Sequence, residues 1–298
     1  IKAAGGITFA QDKSARHDSM PRSAIASGCV DHVMAPEAVA VELSRIAAHP
    51  YLRGDLPRLP DDSVAIPAPA PGGSRSPRAR REAPSQGYAK IIAVAREQTA
   101  VDFSLYKPST IHRRITRRML LSRKNTIDDY ARFVATNPDE FKALYADLLI
   151  SVTSFFRDAA AFDVLKEKVF PRLAAETRSS PLRMWSIGCS SGQETYSLGM
   201  AFMEATAKLP HPAPTLQIFG TDLNETLLSK ARYGLYPKSV AAEISPERLR
   251  RFFVEEDGGY RVIKALREVC IFARQDILVD PPFSRMDLCL LYTSPSPR

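Results

Sequence analysis

The sequence predicts an α/β protein in which a small all-α helical domain precedes a Rossmann-like domain that carries a small β-subdomain insertion. Three observations lead there. From Arg183 onward, short apolar runs alternate with helix-patterned stretches, the order of a parallel sheet covered by helices. The run Arg183–Cys189 ends in the small-residue turn Gly188-Cys-Ser-Ser-Gly192, and a helical pattern starts at Glu194. The next apolar run, Leu216–Asp222, ends in an acid. In an open α/β sheet this pairing suits a nucleoside-bearing cofactor, because glycines let the backbone approach it and the acid accepts from ribose hydroxyls. The two glycines stand four apart without a third, so the dinucleotide pattern is absent, and no Gly-Lys-Ser/Thr makes a phosphate-binding loop. A G-x-x-x-G spacing after a strand also occurs in ordinary strand-to-helix turns.

Taken in order, Pro36 to Ile46 reads as an amphipathic helix, and residues 50–87 as a linker. Pro57, Pro60, Pro67, Pro69, Pro71 and Pro77, with Gly72-Gly73 and arginines between them, cannot bury a core. Residues 88–168 form the all-α part, with helices expected over Tyr88–Gln98, Ser109–Ser122, Ile127–Thr136, Asp139–Leu149 and Asp158–Val169. Pro138 suits a first helical turn. Residues 169–290 form the α/β part. Its strands are Arg183–Cys189, Leu216–Asp222, Val269–Gln275 and Met286–Leu291, and its helices are Glu194–Ala207 and Glu225–Tyr233. The insertion spans about 235–268, with a helix over Ser245–Phe253 and a hairpin turning at Asp257-Gly258.

Bulk properties exclude several classes. The 298 residues are 45% hydrophobic and 25% charged, as in globular proteins, and no run approaches the length of a membrane span or reads as a signal peptide. Cys29, Cys189, Cys270 and Cys289 lack C-x-x-C spacing, which argues against zinc and a disulfide framework and fits a reducing cytoplasm. A net charge of +8 favours an acidic partner. The charge is concentrated. From Phe103 to Ile127 there is no Asp or Glu, while Lys107, Arg113, Arg114, Arg117, Arg118, Arg123 and Lys124 are all present. Ile111, Ile115 and Met119 share one helical face, so the Arg113/Arg117 and Arg114/Arg118 pairs are expected on exposed flanks. Like charges four apart repel. The stretch is either a solvated basic face or a surface for an anionic partner.

The segment Gly188-Cys-Ser-Ser-Gly-Gln-Glu-Thr-Tyr-Ser197 resembles motif I of the CheR family, the chemotaxis receptor methyltransferases, with Ser191 for the usual Thr and Gln193 for the first Glu. Ile150-Ser-Val-Thr-Ser-Phe-Phe-Arg157 resembles the family's Thr-x-Phe-Phe-Arg element, and Tyr106–Met119 its arginine-rich helix. The resemblance runs from about residue 85 to about 290. Residues 1–49, with Ile1-Lys-Ala-Ala-Gly-Gly-Ile-Thr-Phe-Ala-Gln-Asp12 and Met20–Asp31, resemble the C-terminal end of a CheB methylesterase. The esterase's nucleophilic serine, histidine and aspartate would lie upstream, so this remnant is expected to be catalytically empty. Ser14, His17 and Asp18 share one short stretch that could not orient the three roles of a triad. The chain opens in mid-pattern without Met and is expected to be a piece of a CheB–CheR hybrid. After Phe283-Ser-Arg-Met-Asp-Leu288 the family continues with Cys-Arg-Asn and an apolar strand, whereas residues 291–298 read as foreign sequence. The methyltransferase domain is therefore expected to be truncated at its C-terminus, with the fourth strand left as an exposed edge.

The resemblance implies S-adenosyl-L-methionine as cofactor, no metal, and glutamates on the cytoplasmic helices of chemoreceptors as substrate. It places Ser151 and Thr153 beside the cofactor and Arg157 between cofactor and substrate. Gly188, Ser190 and Gly192 form the turn, Glu194 contacts the cofactor, Asp222 binds the ribose, and Asp276 and Ile277 flank the adenine. Arg113, Arg114, Arg117 and Arg118 face the receptor's acidic methylation helices, and the insertion is where some members dock a receptor tail peptide. A glutamate nucleophile is already ionised at neutral pH (reference pKa about 4.3) and needs no base, only in-line positioning and removal of water. Arginine suits that positioning because its fork holds a carboxylate. Two other readings remain: a non-catalytic module that binds S-adenosylmethionine or acidic helices as a sensor or scaffold, and a nucleic-acid methyltransferase. The second lacks a base-stacking aromatic platform, and neither nucleic acid nor membrane insertion is expected.

Overall fold

The computed structural model describes residues 1, 5–26, 28–53, 86–149, 153–176, 180–207, 209–210 and 212–291. Most of the expected linker, the expected tail from 292, and Ser151 lie outside the described residues. The chain divides into two compact units, Ile1–Ile150 and Ser151–Pro297.

In the first unit, β1 (Phe9–Gln11), α1 (Ser19–Ala26) and β2 (His32–Met34) form a parallel two-stranded ribbon with its crossover, followed by α2 (Pro36–Ala47) and a short α3 (Pro50–Arg53). Then come four helices: α4 (Gln86–Thr99), α5 (Pro108–Leu121), α6 (Ile127–Thr136) and α7 (Pro138–Leu148). Their starts follow from capping chemistry. Thr126 Oγ1 accepts from Asp129 N at 3.1 Å, and Asn137 Oδ1 accepts from Asp139 N and Glu140 N at 3.1 and 3.0 Å, with Pro138 at the first helical position. Ile111, Ile115 and Met119 of α5 are fully buried, as their spacing predicts.

The arginine flanks differ from expectation. Arg113 is exposed, but Arg114 and Arg117 are 3% and 1% exposed, and Arg118 is half-buried. The charges of Arg117 and Arg118 are taken up by acids from elsewhere in the chain. Arg117 forms ion pairs with Asp31 and Asp147. Arg118 makes a two-pronged pair with Glu140 at 2.9 and 2.7 Å, and Tyr130 Oη donates to the same carboxylate at 2.9 Å. An acid-free sequence window hid these partners.

The second unit opens with α8 (Ala159–Val164), a π-helical turn over Leu165–Val169, and α9 (Phe170–Ala175). The single helix expected over Asp158–Val169 is thus widened. Pro171 has no N–H to close the bond to the residue four before it, and Phe170 N bonds Leu165 O instead. Phe162, Leu165 and Phe170 belong to this unit's core. The sheet follows: β3 (Leu182–Ile187), α10 (Gln193–Thr206), β4 (Leu216–Asp222), α11 (Glu225–Tyr233), then β5 (Leu235–Tyr236), α12 (Pro246–Phe252), β6 (Phe253–Glu256), β7 (Gly259–Val262) and α13 (Lys264–Glu268), and last β8 (Cys270–Arg274) and β9 (Leu288–Leu291). The main sheet is parallel with order β8-β4-β3-β9. The order reverses between β3 and β9, which makes the C-terminal end of β3 the natural ligand crevice. Within the described residues β9 is an edge strand, with Leu291 58% exposed. The insertion is an antiparallel sheet, β5-β7-β6, and Gly258 at φ +98° makes its hairpin turn.

The central strand packs tightly on α10. A Cβ added to Gly220 would lie 2.7 Å from Thr195 Oγ1 and 2.8 Å from the Phe272 ring. Gly220→Ala should therefore lower the urea-unfolding stability by about 1–3 kcal/mol, the usual cost of overpacking. An unchanged midpoint would contradict this close approach.

Candidate active site

The crevice is built by two strand ends and one turn. After β3, Gly188, Ser190 and Gly192 all take positive φ, at +69°, +52° and +89°. Ser190 is not glycine, so its conformation is strained, and the strain has a visible return. It aims the Ser190 amide at Asp222 Oδ2 at 2.8 Å, across the ends of β3 and β4. Asn224 N donates to the other oxygen, Oδ1, at 2.8 Å. A carboxylate offers about four acceptor positions, so two amide bonds fix Asp222 while leaving lone pairs for diol hydroxyls. Gly188 faces open space, with nothing within 4 Å of an added Cβ. Gly192 faces inward instead, where a Cβ would meet Ala231 Cβ at 2.7 Å. One glycine of the turn keeps room for a ligand, and the other lets α10 start against α11.

Glu194 sits in the first turn of α10, half-buried. Burial pushes its carboxyl above the ordinary glutamate value, while a hydrogen bond from Ser186 Oγ at 2.9 Å and the charge of Arg157 oppose that rise. The crevice therefore holds a partly desolvated acid with a cation within electrostatic reach. Cys189, next to the turn, is not a nucleophile. Burial and the nearby Asp222 push its thiol up, so it stays protonated.

Arg157 follows two buried phenylalanines. Phe156 holds φ +48°, a strained value for an aromatic residue. It is fixed there by its amide, which donates to Ser197 Oγ at 3.0 Å, and by the Arg248 guanidinium stacked 3.7 Å above its ring. Glu204 in turn grips Arg248 at 2.7 and 2.9 Å. Phe155 N donates to Glu243 Oε2 at 3.0 Å, and the Phe155 ring meets Tyr236 edge-on. The insertion thereby braces the Phe-Phe-Arg element. Tyr236 also donates to Ser191 O at 2.7 Å, clamping the glycine turn itself.

Of the residues singled out in the sequence, Ser190 and Asp222 are in direct contact, and Glu194 and Arg157 are coupled electrostatically. Thr153 is half-buried two residues before Phe155. Asp276 follows the end of β8, where Gln275 N bonds Asp222 O at 3.1 Å, and its Oδ1 accepts from Leu278 N at 3.0 Å. Ile277 is 51% exposed. Arg113, Arg114, Arg117 and Arg118 belong to the first unit. Trp185 is a core residue, its Nε1 donating to Thr221 Oγ1 at 2.9 Å. The sequence reading missed Ser186, Ser197, Tyr236 and Gln275. Buried Gln275 holds Pro281 O through Nε2 and leaves Oε1 with no hydrogen-bond partner beside Asp276; buried Ser190 Oγ also has none. Orphaned buried polar atoms at a crevice suit a polar ligand. These features fit an adenosine-bearing cofactor: a diol acceptor, an open glycine, a half-buried acid for cationic groups, and unsatisfied polar atoms. Among the described residues no group of three or more His, Cys, Asp or Glu is placed to hold a metal ion.

The raised Glu194 carboxyl gives a signed pH dependence. Ionised Glu194 attracts the cationic groups of the ligand and protonated Glu194 does not, so affinity falls as pH drops through the raised value. Calorimetric titration with S-adenosylhomocysteine between about pH 7 and the ordinary glutamate value of about 4.3 should show weakening that begins above that value. Glu194→Gln should flatten this profile, and Asp222→Ala should lower affinity at every pH by about tenfold or more, the scale of a lost charged hydrogen-bond acceptor. An identical profile in the Gln variant would remove Glu194 from the site.

Comparison with known proteins agrees with this geometry. Residues 151–291 match the family described as CheR methyltransferase, SAM binding domain, residues 86–149 match CheR methyltransferase, all-alpha domain, and residues 1–43 match CheB methylesterase. An uncharacterized 104.1 kDa protein in the hypE 3' region of Rhodobacter capsulatus is 34% identical over 97% of this chain, which spans 30% of that protein's length. A chemotaxis protein methyltransferase of Listeria innocua is 31% identical over 65% of this chain and 71% of its own length. Chemotaxis protein methyltransferase 1 of Pseudomonas aeruginosa is 39% identical over 42% of this chain and 47% of its own. By its motifs, its fold and these relatives, the chain belongs to the CheR family of chemotaxis methyltransferases, with S-adenosyl-L-methionine as the cofactor.

Proposed function

We propose that the chain methylates glutamate side chains on the acidic cytoplasmic helices of chemoreceptors, giving glutamyl methyl esters and S-adenosylhomocysteine. Arg157 carries the reading. It is an exposed arginine fixed behind a strained, doubly anchored Phe156, close enough to Glu194 for the two charges to interact. A side chain merely solvated at the surface needs no such anchoring.

The proposed division of labour follows from the residues. Bound S-adenosylmethionine supplies a methyl group activated by a cationic sulfur. Asp222 holds a diol, the open Gly188 turn admits the nucleoside, and Glu194 balances the ligand's positive charge. Asp276, Ile277 and Thr153 are assigned to the rim of the same site. The substrate glutamate is already an anion, so no residue need act as base. Arg157 receives that carboxylate, orients one oxygen toward the methyl carbon and replaces part of its water shell. Substrate recognition falls to the positive charge of α5, with Arg113 as its exposed arginine. A receptor's methylated helices lie in the cytoplasm, and the enzyme is assigned there with them.

Labelled S-adenosylmethionine and a receptor cytoplasmic fragment test this. Label should enter the fragment as a base-labile ester. Arg157→Ala should lower transfer by about 100-fold, within the range for loss of a positioning group, while S-adenosylhomocysteine affinity stays within about threefold. Binding without any transfer would favour a sensor or scaffold role, and transfer unchanged in Arg157→Ala would remove Arg157 from the reaction.

A further inference from the structure

Buried Arg117 finds its partners far from its own helix. Its Nε donates to Gly6 O at 3.0 Å, and its two terminal nitrogens pair with Asp31 and Asp147. Gly6 and Asp31 belong to the methylesterase-like segment, 111 and 86 residues upstream. Asp31 is itself held, accepting from Thr8 N and Thr8 Oγ1, both at 2.9 Å. Further along, Arg45 Nη2 donates to Leu120 O at 2.8 Å, and His49 Nε2 pairs with Lys124 O at 2.9 Å. Toward the start of α5, Gly5 lies on the stem of Arg113, where a Cβ would approach Cγ to 2.7 Å. Arg113, Arg117 and Leu120 stand at i, i+4 and i+7, which is one stripe of α5, and Lys124 lies in the turn just past its end. Glu42 with Arg123 at 3.2 Å and Tyr51 Oη with His112 at 3.1 Å flank that stripe.

We infer that residues 5–53 are a built-in partner of α5, docked along its Arg113–Arg117–Leu120 stripe and the turn at Lys124, and clamped there by Arg117. The chemistry matches on both sides. On one side α5 carries buried positive charge that needs anions, and on the other Asp31 and the carbonyl of Gly6 supply acceptors. Each part satisfies the other. Removing Asp31 would leave buried Arg117 with one carboxylate instead of two, and uncompensated buried charge is strongly destabilising. Arg117 therefore binds this segment rather than an acidic receptor helix. This inference does not depend on the methyl-transfer reading.

Its test needs no activity. A protease site placed within residues 54–85 of the full chain would allow the segment to be cut from α4 onward. After cutting, the two pieces should co-elute in gel filtration, and Asp31→Asn should weaken that association by about tenfold or more, the scale of a lost buried charge partner. Should Asp31→Asn unfold the chain, the rim variant Arg45→Met, judged by unchanged circular dichroism, should still loosen the cut complex. Separation of the wild-type pieces, with the helical signal retained, overturns the inference. Phenylglyoxal labelling of the uncut chain gives a second reading. Arg117 should react about tenfold or more slowly than Arg113, in line with its burial, and equal rates would overturn the clamp.

Discussion

The hydrogen bond from the Ser190 amide to the Asp222 carboxylate is the constraint on which the crevice depends. It joins the ends of β3 and β4, next to the point between β3 and β9 where the sheet order reverses. It exists only because Ser190 accepts a left-handed backbone, flanked by two glycines that do so at no steric cost. From this one contact several consequences follow. Asp222 is held upright between two amides, and α10 starts directly under the turn. Glu194, in the first turn of that helix, is carried to within reach of Ser186 on β3. Tyr236 closes the arrangement from the insertion by bonding Ser191 O. The small antiparallel sheet therefore has a structural duty at the cofactor turn, whatever else it contacts.

Charge is then distributed around that rigid turn with a clear sense. Burial alone would neutralise Glu194; Ser186 and Arg157 work against it. The methyl donor is cationic and the proposed substrate anionic, so an acid and an arginine whose charge acts on it match the charges that must be brought together. Strain at Phe156 and Ser190 fits the same pattern. Both lie on the peptide segments that aim a functional group, and both are over-determined by their neighbours.

Much of this was legible in the sequence. Helices α6 and α11 and strand β4 fall on their expected residues, because caps at Thr126 and Asn224 and the left-handed Gly234 mark their ends. Gly188, Ser190, Gly192 and Asp222 were visible as a spaced turn and an acid. What escaped were contacts made only in three dimensions. Ser186 reaches Glu194 because one lies on a strand and the other on the helix after it. Tyr236 reaches the turn from 45 residues away. The π-helical turn before Pro171 was visible as a proline, yet the pattern read as one continuous helix.

The arginine helix shows where local charge reading stops. Between Phe103 and Ile127 the sequence holds seven cations and no acid, and from that window alone an anionic partner is the natural inference. The partner exists, but for Arg117 and Arg118 it is intramolecular: Asp147 and Glu140 come from α7, and Asp31 from the bend before β2. A charge run reports a demand for anions without saying who meets it. Burial decides the question, since an arginine at 1% exposure cannot greet a diffusing partner without first breaking its own pairs. On α5 the demand is therefore divided. Arg117 and Arg118 are committed within the fold, and exposed Arg113 keeps a charge at the surface, so the proposed recognition of an acidic helix would rest on far fewer arginines than the sequence displays.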